Sequence, residues 1–359
     1  MGGTALKHLG FEGRRIEKKE YFELVNEIQN IWKRFFYDEC NLILHYTNKE
    51  TYGDIDFVAY DEDKHECIIN KLKSAFGCKY ISKNSFVYSF DYKGVQIDAA
   101  ILNTLRKAQY YHLFSNYSPV GNIIGRLIKQ KGLKWGIDGL SYPVKLSDSE
   151  QLGEIYIRYT GCPYETFEKL LDFLGLEKPY KNSYQNFKPC FDDQTDIFKW
   201  LSGSILFNKD IFAFENLNHV NRKRDRLRND YHNWLEYIKD KPNKFIGEND
   251  KSVYIDEVAS FFFFFKNDLY ALIEERIAKH QMEIFYREKF NGKHLIEWGI
   301  TDGKIIGECV SGFKQYITGK TNKENIDKFF KQYILLKETG YIKKDFINWY
   351  NKNYENVCI

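Results

Sequence analysis

Asp54 and Asp56 stand two residues apart in Thr51-Tyr52-Gly53-Asp54-Ile55-Asp56-Phe57-Val58-Ala59-Tyr60. Ile55, Phe57 and Val58 are strand formers, and Gly53 marks the turn into the strand. Alternate strand residues share a face, so the two carboxylates project together, roughly 7 Å apart, while Ile55 and Phe57 face a core. Like charges this close repel unless a cation lies between them. Mg²⁺ takes hard oxygen ligands and bridges to substrate phosphates. Asp-x-Asp is therefore a candidate metal–phosphate site, and the competing reading is a solvated strand end.

A second acid enters through a hairpin. Ser85 to Tyr92, the turn Lys93-Gly94, and Val95 to Leu102 read as two strands around a two-residue loop. In that register Tyr92 opposes Val95, Phe90 opposes Ile97, and Ser89 opposes Asp98. Asp98 then lies on the face away from Ile97, either as a solvent-facing polar position or, beside the strand of Asp54 and Asp56, as a third ligand of a two-metal centre. The chain also opens with Gly2-Gly3-Thr4 ahead of Ala5, Leu6 and Leu9, a plausible helix face. Paired glycines before a helix let backbone N–H groups approach a phosphate. The bland alternative is a loose chain start.

Gly2-Gly3-Thr4, then Asp54-Ile55-Asp56, then Asp98 resembles the ordered pattern of the nucleotidyltransferase superfamily typified by DNA polymerase beta. The resemblance covers about the first third of the chain, and within the family it is nearest to phage and large-virus proteins that begin at Gly-Gly. Two departures stand out: Thr4 replaces the usual serine, and the interval before Asp54 is long enough to hold an inserted helix. The resemblance implies an α+β fold, a polymerase-beta-like domain with a mixed sheet followed by largely helical domains. It implies that Asp54 and Asp56 hold two Mg²⁺ ions (or Mn²⁺), that Asp98 holds one of them, and that Gly2, Gly3 and Thr4 cradle the β- and γ-phosphates of an NTP. It also implies that a helix after the third aspartate offers polar and basic groups to the triphosphate. Residues 118–135 supply such a helix, with Ser118 as N-cap, Pro119 at its first position, Val120, Ile123, Ile124, Leu127 and Ile128 as its buried stripe, and Gly132 as C-cap. Asn122, Arg126 and Lys129 share its opposite face and, with Lys131, are the candidates; a merely solvated face is the competing reading.

At 359 residues the chain is long enough for two or three domains. Aromatics at 17% and only 6 Pro suit a folded protein, and a net charge of +3 excludes strong bulk attraction to polyanions. Seven scattered cysteines form no Cys-x-x-Cys pair, which with no secretory-like start points to reduced thiols in a cytoplasm, that of a host if the source is viral. Phe261 to Phe265 is too short to span a membrane and suggests a helix buried on several sides. Residues 17–36 read as an amphipathic helix with Tyr21, Leu24, Val25, Ile28 and Trp32 on its core face, and 41–46 as a strand. The expected division is 1–145 as catalytic domain, 146–245 as middle domain and 246–359 as helical C-terminal domain, with helices near 254–288, 304–317, 323–337 and 343–353.

The middle segment, Asn218 to Asp230, carries Arg222, Lys223, Arg224, Arg226 and Arg228 against two acids. As one helix running through Trp234, it reads either as a solvated face with internal ion pairs or as cations that neutralise nucleic-acid phosphates. Tyr231, His232 and Trp234 would then offer a stacking face. Phe290 to Gly307 resembles the tail segment of tRNA nucleotidyltransferases. Together these imply a template-independent nucleotidyltransferase using NTP (ATP and/or CTP), with an RNA end, foremost a tRNA 3′ terminus, as acceptor. The rivals are transfer to a small molecule, nucleotide or protein hydroxyl, and a non-catalytic RNA- or NTP-binding module.

Overall fold

A computed structural model describes residues 4–36, 40–63, 65–146, 150–179, 191–263 and 265–289, with 293, 296 and 303. Gly2 and Gly3, and the expected helices beyond residue 303, lie outside the described residues. The first elements are β1 (Ile16–Glu17), α1 (Lys18–Phe35), β2 (Asn41–Leu42), β3 (Thr51–Tyr52), β4 (Asp54–Tyr60), α2 (His65–Phe76), β5 (Ile81–Asn84), β6 (Val87–Tyr92) and β7 (Val95–Leu102). They are followed by α3 (Leu105–Ser115), α4 (Val120–Lys129), β8 (Lys134–Gly136), β9 (Gly139–Lys145), β10 (Gln151–Tyr156), α5 (Pro163–Leu174) and α6 (Gln194–Ser202). The chain continues through α7 (His219–Asp225), α8 (Asn229–Ile238), α9 (Ile255–Phe262) and α10 (Lys266–Lys289). This is an α+β protein whose main sheet is mixed.

That sheet has the order β2-β4-β7-β6-β5. β4 and β7 run parallel in its centre, and the other neighbours are antiparallel. The β6–β7 hairpin has the expected register, with Tyr92 opposite Val95, Phe90 opposite Ile97 and Ser89 opposite Asp98. Lys93 and Gly94 both take positive φ in its turn, as a primed two-residue loop requires. Strand alternation then divides the residues. Ile55, Phe57, Ala59, Ile97, Ala99 and Ile101 enter one core beneath α1 and α2, with Tyr21, Leu24, Val25, Ile28 and Trp32 from α1. Val58, Ala100 and Leu102 pack on the opposite face against Ala108 of α3. Asp54, Asp56 and Asp98 belong to this second face.

Several local expectations are revised. The strand expected over 41–46 pairs with β4 only at its start. Beyond Ile43, whose N–H donates to the Asp56 carbonyl, the backbone of Leu44 turns to Asn116 and Tyr117 between α3 and α4. The segment at Ala5 to Leu9 is a single 3-10 turn, Lys7–Leu9, closed by left-handed Gly10, not a longer helix. Ser118 does not cap α4: the Ser118–Pro119 bond is cis and Pro119 occupies the cap position. The helix ends at Lys129, with Gln130 as its cap, and Gly132 at φ +79° closes the following turn by donating to the Lys129 carbonyl. The phenylalanine run is not one helix either, because α9 stops at Phe262, which is buried, while Phe265 is 73% exposed.

The chain divides into two compact units, Met1–Lys145 with Gly153–Tyr270, and Leu146–Leu152 with Ala271–Ile359. Residues expected in separate first and middle domains therefore share one unit. The ties are polar and buried. Asp225 reaches Arg126 of α4, which also donates to Tyr231, and Gln130 joins the Leu206 carbonyl and the Asn208 side chain. The basic segment is two helices rather than one, because the chain breaks between α7 and α8 after Asp225 turns inward to Arg126 and Arg224. Burial pushes the Asp225 carboxyl up, but hydrogen bonds from Arg224 and Arg126 outweigh it and leave the pKa lowered. Breaking a buried ion pair from one side strands the other charge at ~3–5 kcal/mol. Asp225→Ala should therefore lower stability by about 3 kcal/mol in urea unfolding, and Asp225→Leu combined with Arg126→Met should recover most of the loss. A single mutant as stable as the parent would show that the pair does not hold these segments together.

Candidate metal and phosphate site

Parallel pairing of β4 and β7 sets Asp56 directly beside Asp98 and Asp54 beside Gln96. One ligand oxygen from each of Asp54, Asp56 and Asp98 lies within 4.8 Å of the others, and all three residues are half-buried. The cluster forms because the apolar alternates, Ile55, Phe57 and Ile97, are fully buried on the other face, so the acids have only this side to occupy.

The electrostatics are those of crowded like charges. Loss of hydration, then repulsion from Asp54 and Asp98, raises the Asp56 pKa well above the ordinary range, with Lys49 opposing. Burial pushes Asp98 up to about 6; hydrogen bonds from Ser89 and Gln96 restrain the rise, and Asp54 adds to it. The Gln96 amide donates to both Asp98 oxygens at 3.0 and 2.9 Å, while its carbonyl oxygen accepts from the Leu6 N–H at 3.3 Å. One side chain thus ties the start of the chain, with exposed Thr4 two residues before Leu6, to the third acid.

Three residues that were not among the expected site residues lie in the field of the cluster. Lys49 lies in the field of Asp54, Asp56 and Asp230; burial lowers its pKa, the acids oppose that, and its Nζ sits 4.6 Å over the Tyr52 ring. Tyr21 stacks on Tyr52 at 3.7 Å. Its hydroxyl is buried with no hydrogen-bond partner among the described residues, and its pKa is raised first by burial, then by Asp56. Tyr111 of α3 is raised by burial, with Asp56 and Asp98 adding to the effect. No short motif marks these groups. Lys49 and Tyr21 arrive through α1 and the β2–β3 connection, which only the folded sheet brings to the acids.

The donor set fits a divalent cation. Three hard carboxylates repel one another within 4.8 Å, and the Tyr21 hydroxyl in their field has no hydrogen-bond partner among the described residues.

The remaining candidates divide. Arg126 is held by Asp225 and Tyr231. Lys131 is buried against Glu257, 4.1 Å over the Tyr254 ring. Asn122 is half-buried and Lys129 exposed. Arg222 donates to the Glu215 and Leu217 carbonyls, and Arg224 pairs with Asp225. Lys223, Arg226 and Arg228 are exposed. Arg228 and Lys49 both lie in the field of Asp230. Tyr231 and Trp234 are core residues, 1% and 0% exposed, so neither offers a stacking face. Among the described residues no helix is long and apolar enough to cross a membrane. No family model matches the chain, and no curated protein matches it.

A carboxyl whose pKa is raised on folding contributes stability below its unfolded pKa and loses it as pH rises through the folded value. In EDTA the protein should therefore lose stability between roughly pH 4 and pH 7, on the order of 3 kcal/mol from Asp98. Millimolar Mg²⁺ should restore it at about pH 8 and have little effect at about pH 5, because protons and metal compete for the same oxygens. Melting curves at both pH values check this, and equal Mg²⁺ shifts at the two would contradict it.

Proposed function

We propose that the chain is a nucleotidyltransferase with a polymerase-beta-like catalytic fold. It transfers a nucleotidyl group from an NTP to an RNA 3′ end without a template, a tRNA-like acceptor being favoured. The observation that carries the reading is the convergence of Asp54, Asp56 and Asp98 from two parallel neighbouring strands, with the chain start moored beside Asp98 through Gln96.

In this reading Asp54 and Asp56 would hold two divalent cations (Mg²⁺, or Mn²⁺) and Asp98 one of them; such ions would lower the pKa of the attacking hydroxyl and neutralise phosphate charge. The acceptor hydroxyl loses its proton to solvent as its oxygen bonds to the α-phosphorus, the bond from that phosphorus to the oxygen bridging the β-phosphate breaks, and pyrophosphate leaves. Ser89 and Gln96 fix the Asp98 oxygens by hydrogen bonds. Lys49, in the field of Asp54 and Asp56, would supply a cation for phosphate oxygens. Gly2, Gly3 and Thr4 complete a phosphate cradle. Lys223, Arg226 and Arg228 remain as exposed cations for an acceptor backbone.

One observation favours a smaller acceptor. Arg126, Arg222 and Arg224 are engaged inside the protein, which thins the basic surface that RNA requires. The reaction then becomes transfer to a nucleotide, small-molecule or protein hydroxyl, and a binding module without turnover is the limiting case.

Incubation with Mg²⁺, each labelled NTP in turn and total tRNA separates these readings, with a lengthened RNA expected. Asp54→Asn and Asp98→Asn keep the shape and remove the charge. Each should reduce incorporation by at least roughly 10²–10³-fold, the scale for losing one electrostatic stabiliser, while the far-UV spectrum stays unchanged. Near-normal turnover in either variant would remove the metal assignment. Labelled nucleotide on a small molecule or protein would redirect the acceptor, and retention without product would leave only the binding module.

A further inference from the structure

A second concavity lies away from the acids, at the other end of β7. It has a volume of about 560 Å³ and is lined by Thr104, Arg106, Lys107, Tyr110, Asp138, Leu140, Tyr156, Ile157 and Arg158. Four residues of strand, or ~13 Å, separate Asp98 from Leu102, and α3 begins just beyond. We propose that this cavity binds an organic phosphate of mononucleotide size, at a site distinct from the carboxylate cluster and independent of the reaction proposed there.

Charge is the first argument. Arg106, Lys107 and Arg158 converge on the cavity against a single acid, Asp138. Among the described residues none of the three cations forms an ion pair, whereas Arg126, Lys131 and Arg224 of the same unit are all neutralised by acids. Two guanidinium groups with an ammonium suit the oxygens of a phosphate, which accepts forked hydrogen bonds from arginine. The first turn of α3 adds partial positive charge on the same side, with the Thr104 hydroxyl already engaged by the Lys107 N–H.

Shape and lining are the second argument. The volume falls within the roughly 300–1,000 Å³ of small-molecule sites. A bare anion would need only the cations, yet Tyr110, Leu140, Tyr156 and Ile157 form an apolar wall. Tyr156 is 43% exposed and lies in the fields of both Asp138 and Arg158, so a ring stacked on it would leave its phosphate toward the arginines. The wall is also built to stay in place. Gly139, at φ +105°, has no side chain where Tyr110 lies: a Cβ there would come within 2.9 Å of its ring. The Tyr110 hydroxyl donates to Thr166 Oγ1 at 3.4 Å.

Titration calorimetry on the full chain in EDTA, with AMP and inorganic phosphate as probes, tests this. AMP should bind more tightly than phosphate. Arg106→Gln and Arg158→Gln should each weaken both probes by at least tenfold, and Tyr156→Ala should weaken AMP while sparing phosphate. Lys199→Gln, an exposed cation elsewhere, and Asp98→Asn should leave AMP affinity unchanged. The proposal is overturned by the absence of AMP binding, by affinity that survives the Arg106→Gln/Arg158→Gln double variant, or by loss of AMP binding in Asp98→Asn, which would place the nucleotide at the acids. Capture of a short oligoribonucleotide without capture of AMP would overturn it as well. Unchanged far-UV spectra of the variants separate all these outcomes from misfolding.

Discussion

Repulsion among three carboxylates is the constraint from which the rest of this molecule is understood. Asp54, Asp56 and Asp98 are forced together by a pairing between β4 and β7 that their own charges oppose. What overcomes the opposition is the other side of the same strands, where Ile55, Phe57, Ile97 and Ala99 are fully buried under α1 and α2. A one-residue slip of either strand would relieve the acids, but it would turn this entire apolar set away from α1 and α2 and press charged side chains into their core. The charged face is thus held in place by the greasy one.

That division explains what the sequence revealed and what it concealed. The Lys93-Gly94 turn and the alternation on either side of it specify a hairpin register, so the neighbours of Asp98 were legible from the chain alone. Helical spacing in 17–36 likewise disclosed the core face of α1, because that signal is local. The link of Lys49 and Tyr21 to the acids was not legible, nor was the grip of Gln96 on Leu6. Each of these depends on residues far off in sequence, and nothing in the local chain distinguishes the three from ordinary polar or core residues.

The basic segment was open to two readings for a related reason. Five cations in the thirteen residues from Asn218 to Asp230 suit either a nucleic-acid surface or internal ion pairs, and one of the two acids, Asp225, is 1% exposed and draws Arg126 and Arg224 onto itself. Composition registers how many charges a stretch carries, whereas availability depends on who faces whom after folding. The break between α7 and α8 follows from the same inward turn, and Tyr231 and Trp234 are buried with it.

The double attachment of Gln96 carries a further consequence. Its amide grips the Asp98 oxygens while its carbonyl holds the Leu6 backbone, so the two attachments share one rotamer. Reciprocity then sets a condition: to whatever extent displacing the Leu6 backbone alters the proton affinity of Asp98, protonating Asp98 alters the hold on Leu6 by the same free energy.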